Sequence, residues 1–169
     1  LRYDGDPVPS IYSLDDTGRV LYVASFSKII APGMRLGYMT GPPDFIDRAM
    51  SIKSGGSVNL LASIAIHRYS PDLDEHIRGV RNIQRMKRDA MLAALGENFG
   101  SSATWSKPDG GLYIWLQMPK GTDLTKAQES ALKADVGFSI GTNMAADGTS
   151  GKNYARLCFG YNTVEEIHE

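Results

Sequence analysis

Hydrophobic positions appear first as a short run, Val20 to Ala24, rich in β-formers and bounded by turn residues. That pattern predicts a buried strand. A polar loop broken by Pro32-Gly33 follows, and the next apolar segment predicts a second strand over Leu36–Thr40. The period then lengthens. Gly41-Pro42-Pro43-Asp44 opens a predicted helix with Phe45, Ile46, Ala49, Met50 and Ile52 on one face, ended by Ser54-Gly55-Gly56-Ser57. A mostly apolar helix over Asn59–Tyr69 (Leu60, Leu61, Ile64, Ala65) predicts burial or a subunit contact.

Ser70-Pro71-Asp72 caps a long predicted helix that reaches about Phe99. Ile77, Val80, Ile83, Met86, Ala90, Ala94 and Leu95 recur along it at helical spacing. Its other face carries Arg78, Arg81, Arg85, Lys87 and Arg88, a stripe expected to be solvated rather than to bind nucleic acid.

Strand-like segments then return. Leu112 to Met118 is apolar on both sides, as a covered central strand would be. A helix capped by Thr122/Asp123 runs to about Asp135, and a short strand, Val136–Ile140, precedes the loop Gly141–Lys152. Tyr154 to Phe159 alternates, with Ala155, Leu157 and Phe159 on one face and Tyr154, Arg156 and Cys158 on the other. Thr163 and Glu166 form a capping box for a last turn of helix. The turn-rich stretch Leu1–Arg19 is expected to be a surface connection.

Composition narrows the class. Of 169 residues, 42% are hydrophobic and 22% charged, with a formal net charge of −1, so no broad basic field awaits nucleic acid or a membrane surface. No apolar stretch approaches the roughly 20 residues that span a bilayer. The lone Cys158 excludes an internal disulfide, which suits a reducing cytoplasm. The first residue is Leu, no signal-peptide pattern follows, and the final capped helix stops after about one turn. A fragment of a longer protein is expected.

Two clusters carry candidate chemistry. Ser25, Ser27, Lys28 and Arg35 crowd one loop between core elements. Two hydroxyls, an amine and a guanidinium are the donors a phosphate dianion needs, although a surface turn would use the same residues. Arg156 sits mid-strand among apolar residues, where a guanidinium is costly unless it meets an anion. That anion is either an Asp or Glu of the chain or the carboxylate of a ligand. His67, His76 and His168 lack metal-ligand spacing, and no metal is expected. Cys158 reads as a small buried strand residue and Asn143 as a turn residue.

The stretch Ser25-Phe-Ser27-Lys28-x-x-x-Pro32-Gly33-x-Arg35-Leu36-Gly37-Tyr38 resembles the lysine loop of fold-type I, pyridoxal-phosphate-dependent aminotransferases of class I/II. Within them it is most similar to the 2-aminoadipate and kynurenine type. Trp105-x-x-Pro108-x-Gly110-Gly111 and Tyr154-x-Arg156-Leu157-x-Phe159 are similar to further signatures of the family. The resemblance implies an α/β fold, the C-terminal part of the PLP-dependent transferase fold. It would comprise the end of the large-domain sheet in residues 1–80 and an α+β small domain in residues 81–169, divided near Asp74–Arg88.

The resemblance further implies pyridoxal 5'-phosphate as cofactor, with Lys28 as Schiff-base lysine and general acid/base. Ser25, Ser27 and Arg35 would hold the phosphate, and Arg156 the α-carboxylate of the substrate. The implied reaction moves an α-amino group between an amino acid and a 2-oxo acid, in a cytoplasmic homodimer. The family's pyridinium carboxylate, stacking aromatic and phenol fall before the position of Leu1, so the fragment alone is expected to be inactive. The runner-up is the effector domain of a MocR-type transcription regulator, which shares the fold and the loop behind a winged helix. Another fold-type I lyase or synthase would fit the same motifs.

Overall fold

A computed structural model describes residues 1–168. Two compact units emerge, one made of Leu1 and Gly5–Val80 and the other of Arg2–Asp4 with the chain from Arg81 onward.

The first unit centres on a hairpin of β1 (Tyr22–Ser25) and β2 (Gly37–Thr40), paired antiparallel with Ser25 opposite Gly37 and Ala24 opposite Tyr38. Tyr12, Tyr22, Tyr38 and Phe26 line up as tilted neighbours, with ring centroids 5.7–6.1 Å apart. The expected buried strand is corrected here. No residue of β1 or β2 is buried, and Val23 is 68% exposed, because two strands cannot cover both their own faces.

Helix α1 (Pro43–Ile52) starts on the paired prolines, whose fixed φ suits a first turn. In α2 (Leu60–Tyr69), Asn59 caps the start by accepting from Ala62 N, and only Ala62 and Ile66 are buried. Leu60, Leu61 and Ile64 are exposed, so the burial expected for them is not provided by the described residues. Ser70–Asp72 forms a 3-10 turn leading directly into α3 (Leu73–Phe99).

The second unit is built on a four-stranded antiparallel sheet in the order β3 (Thr104–Trp105), β4 (Tyr113–Gln117), β6 (Tyr154–Cys158), β5 (Ser139–Ile140). Its covered face buries Ile114, Leu116, Ala155 and Phe159, with Ala90 and Leu95 of α3 and Leu124 of α4 (Leu124–Lys133) also in the core. The other face is partly open: Tyr113 is exposed and Trp115 half-buried, so β4 is central by pairing without being covered on both sides. Cys158, expected to be buried, is exposed because the alternation of β6 puts it on that open face, opposite Tyr113. β5 is shorter than expected, since Asp135 takes a positive φ of 57° and Val136 N returns to Ala131 O to end α4. The loop after β5 begins with a 3-10 turn, Gly141–Met144. The capping box forms as a reciprocal pair, Thr163 N to Glu166 Oε2 at 2.8 Å and Glu166 N to Thr163 Oγ1 at 3.2 Å, at the start of α5 (Val164–His168).

Two further expectations are corrected in this unit. Arg88 does not belong to a solvated stripe: it is buried, gripped by Asp4 at 2.6 Å and Asp89 at 2.8 Å, and donates to Pro108 O. Ile83 and Met86, expected on the apolar face, are exposed instead. The leader is also more than a surface connection. Tyr3 is buried, its hydroxyl donates to Gly111 O, and Arg2 bridges to Gly110. Burial raises the Tyr3 phenol above its ordinary pKa, against the opposing pull of the Arg88 charge.

Candidate functional site

The lysine loop links β1 to β2, and its backbone closes on itself. Phe26 N donates to Leu36 O at 3.1 Å across the neck, while Ile29 N and Ile30 N both donate to Phe26 O. Lys28 therefore rides on a single helical turn at the end of the hairpin. Pro32–Met34 forms a 3-10 turn with Pro32 at its first position.

Within this frame the two serines meet. Ser25 Oγ donates to Ser27 Oγ at 2.9 Å, and Ser27 N donates to Ser25 Oγ at 3.1 Å. The period of two in β1 gives Ser25 the exposed face, and the turn brings Ser27 back beside it. Lys28, the next residue, is exposed and enters no ion pair among the described residues. Arg35 takes the left-handed conformation (φ 51°, ψ 40°), which a non-glycine residue adopts at a cost of about 1–2 kcal/mol. Its backbone N and its Nη1 both donate to Pro32 O, at 3.4 and 3.1 Å. The guanidinium thus clasps its own turn with one nitrogen, and its other N–H groups have no partner among the described residues.

The structure thus brings Ser25 and Ser27 together, whereas Lys28 and Arg35 share their loop without a hydrogen bond to either serine among the described residues. The residue types are those a phosphate that carries an aldehyde requires. A cavity of about 330 Å³ behind the loop, lined by the loop's own Ile30 and Met34 together with Ala65, Ile66, Tyr69 and His76, is almost wholly apolar and has no such donor set.

Arg156 belongs to the second unit. It lies mid-strand in β6, with Ser139 and Trp115 as its cross-strand partners. The buried ion pair left open by sequence does not form among the described residues. Instead Arg156 Nη2 donates to Ser139 Oγ at 3.3 Å, and Cζ sits 4.4 Å from the centroid of the Tyr113 ring. Sequence reading missed Tyr113 and Ser139 because they come from other strands; alternation along β4 and β5 places them on Arg156's face only once the register is known. No group of three or more His, Cys, Asp or Glu side chains gathers to hold a metal among the described residues, and no described helix is long and apolar enough to cross a membrane.

Comparison with known proteins adds to this geometry. Residues 3–167 match the profile of the family described as aminotransferase class I and II. An aromatic-amino-acid aminotransferase of Thermococcus litoralis is 36% identical over 173 aligned positions, covering 100% of this chain and 41% of the relative. An uncharacterised HTH-type transcriptional regulator of Bacillus subtilis, YdfD, is 30% identical over 100% of this chain and 35% of its own. Among solved structures, the α-aminoadipate aminotransferase of Thermus thermophilus, complexed with N-(5'-phosphopyridoxyl)-L-leucine, superposes with a TM-score of 0.93 at 28% identity. That match covers 99% of this chain and 44% of the solved one. The chain therefore spans about two fifths of the length of the proteins it matches.

Proposed function

The chain belongs to the class I and II aminotransferases, and from that membership we propose that the protein transfers an α-amino group between an amino acid and a 2-oxo acid, using pyridoxal 5'-phosphate. Its fold is the C-terminal part of the PLP-dependent transferase fold. In this reading residues 1–80 close the cofactor-binding large domain and residues 81–169 make the small domain. The whole protein would work as a cytoplasmic homodimer.

One observation carries the assignment: the Ser25 and Ser27 hydroxyls lie 2.9 Å apart at the strand end, and Lys28 is the next residue. Ser25, Ser27 and Arg35 would hold the cofactor phosphate, and Lys28 would carry the cofactor covalently. The bound cofactor supplies the electron-withdrawing ring that makes the substrate Cα–H bond acidic. The Lys28 amine, when free, would take the proton removed from Cα and deliver it to the cofactor's former aldehyde carbon, the transfer that distinguishes amino-group exchange from mere return of the substrate. Arg156 presents parallel N–H donors to the α-carboxylate, which fixes the substrate's orientation as well as its binding.

The likeness to the Bacillus subtilis HTH-type regulator supports a second reading, an effector domain that keeps the fold and the loop. The sequence upstream of Leu1 decides between them, since a winged helix there belongs to the regulator. The site assignment is tested by incubating the full-length protein with pyridoxal phosphate and borohydride, then mapping peptides. The adduct is expected on Lys28. An adduct on another lysine, or none, removes the assignment.

A further inference from the structure

We propose that Tyr113 and Ser139 are positioning residues that hold the Arg156 guanidinium ready for a carboxylate. The inference rests on the carboxylate role given to Arg156 above and adds the two side chains that aim it. A free arginine side chain is long and samples many rotamers, so an arginine that must grip a ligand bidentately gains from being fixed beforehand. Here three strands supply the fixing. Ser139 on β5 is the direct cross-strand partner of Arg156 and accepts from its Nη2 at 3.3 Å.

On the other side Trp115 is the direct partner, but its ring is committed to Tyr154, stacked at 5.5 Å with planes 18° apart. That leaves Tyr113, two positions along β4, whose ring centroid lies 4.4 Å from Arg156 Cζ. The face of the ring receives the cation and the serine takes one N–H. Of five N–H groups, an edge with two parallel donors stays free, which is the fork a planar carboxylate fits. Neither neighbour carries a negative charge, so neither competes with an anionic ligand for the guanidinium.

The test uses the full-length, cofactor-loaded protein and the monocarboxylate 3-phenylpropionate, whose Kd is followed by saturation-transfer NMR. Tyr113→Leu should weaken binding by about two- to fivefold, the scale of a lost cation–π contact at an exposed ring. Tyr113→Phe, which keeps the ring, should bind as the parent does. Ser139→Ala should weaken binding by about two- to tenfold, the scale of one lost hydrogen bond, and Ser139→Thr should restore it. The amino-acid KM should rise in parallel while kcat holds, because the interaction serves ground state and transition state alike.

If Arg156→Ala abolishes binding while Tyr113→Leu and Ser139→Ala bind as the parent does, the positioning role is overturned and the carboxylate role stands. If Arg156→Ala binds the carboxylate unchanged, the carboxylate role falls and the positioning role with it. Should Tyr113→Leu fail to fold by circular dichroism, the Ser139→Ala and Ser139→Thr pair decides.

Discussion

Arg88 Nη2 lies 2.6 Å from Asp4 Oδ2, joining the leader segment to the long helix of the second unit. The same guanidinium meets Asp89 Oδ1 at 2.8 Å, donates to Pro108 O at 2.9 Å and covers the Tyr3 ring at 5.6 Å. Arg88 is buried, whereas Asp4 keeps contact with water, and that asymmetry sets the mutational order. Arg88→Ala removes packing and orphans the Pro108 carbonyl, costing about 1–3 kcal/mol. Asp4→Asn leaves Arg88 still paired with Asp89 and should cost about 1 kcal/mol or less. Thermal unfolding of the full-length protein checks the ranking; equal losses, or a larger one for Asp4→Asn, would contradict it.

Ser25 and Ser27 are expected to act as a pair on the cofactor phosphate. A hydrogen bond to a charged group contributes about 1.5–3 kcal/mol, so either Ser→Ala change should loosen cofactor affinity about ten- to hundredfold. Because Ser25 Oγ also bonds Ser27 Oγ and Ser27 N, each hydroxyl orients the other. The double variant should therefore lose less than the sum of the two singles. A fluorescence titration with pyridoxal phosphate measures all three. Strict additivity would mean that the hydroxyls act independently.

The lysine loop was legible because its chemistry is local. Ser25, Ser27, Lys28 and Arg35 lie within eleven positions, and Pro32-Gly33 marks the turn between them. Helices were legible from period and caps; α3 was expected from its Pro71 start to about Phe99 and ends at Phe99. Residues that depend on pairing between distant segments were not. The burial of Arg88 needs Asp4 brought to it, and no pattern along the helix distinguishes Arg88 from Arg85, which stays exposed. Likewise the two-residue β3 carries no periodicity of its own and exists through its pairing with Gln117 and Leu116. The apolar run of β1 signals burial, but what would cover Val23 is not among the described residues.

Asp15 gives the first unit a defined acid sensitivity. Its carboxylate accepts from Thr17 Oγ1 at 2.7 Å, Thr17 N at 2.9 Å, Val20 N at 2.8 Å and Arg19 N at 2.7 Å. These donors, the Thr17 hydroxyl first, hold its pKa down to about 2. A pKa depressed in the folded state stabilises the fold above the unfolded value of about 3.9 and loses that contribution as pH falls toward 2. The Asp15 carboxyl carbon should therefore titrate near 2 by NMR. In Asp15→Asn the part of the acid-induced loss that falls between about pH 4 and 2 should shrink. An Asp15 titration midpoint near 4 would show that the loop hydrogen bonds do not persist in solution.

Gly37 ties the packing of the hairpin to the proposed cofactor site. It pairs with Ser25, and a Cβ built on it would fall 2.5 Å from Ala24 O and 3.5 Å from Ser25 Cα. Ala24 O is backbone, so relief requires β1 and β2 to part at the position that aims the Ser25 hydroxyl. Overpacking of this kind costs about 1–3 kcal/mol, and part of that strain should appear as misplacement of Ser25. Gly37→Ala in the full-length protein is thus expected to weaken pyridoxal phosphate binding about tenfold or more, on the scale of losing one charged hydrogen bond. Gly33→Ala is the matched control, because a Cβ there meets nothing within 4 Å and its φ is not positive. Equal cofactor affinity in the two variants would break the link between the strand pairing and the phosphate grip, whereas a loss confined to Gly37→Ala would place the glycine's role in the approach of the two strands.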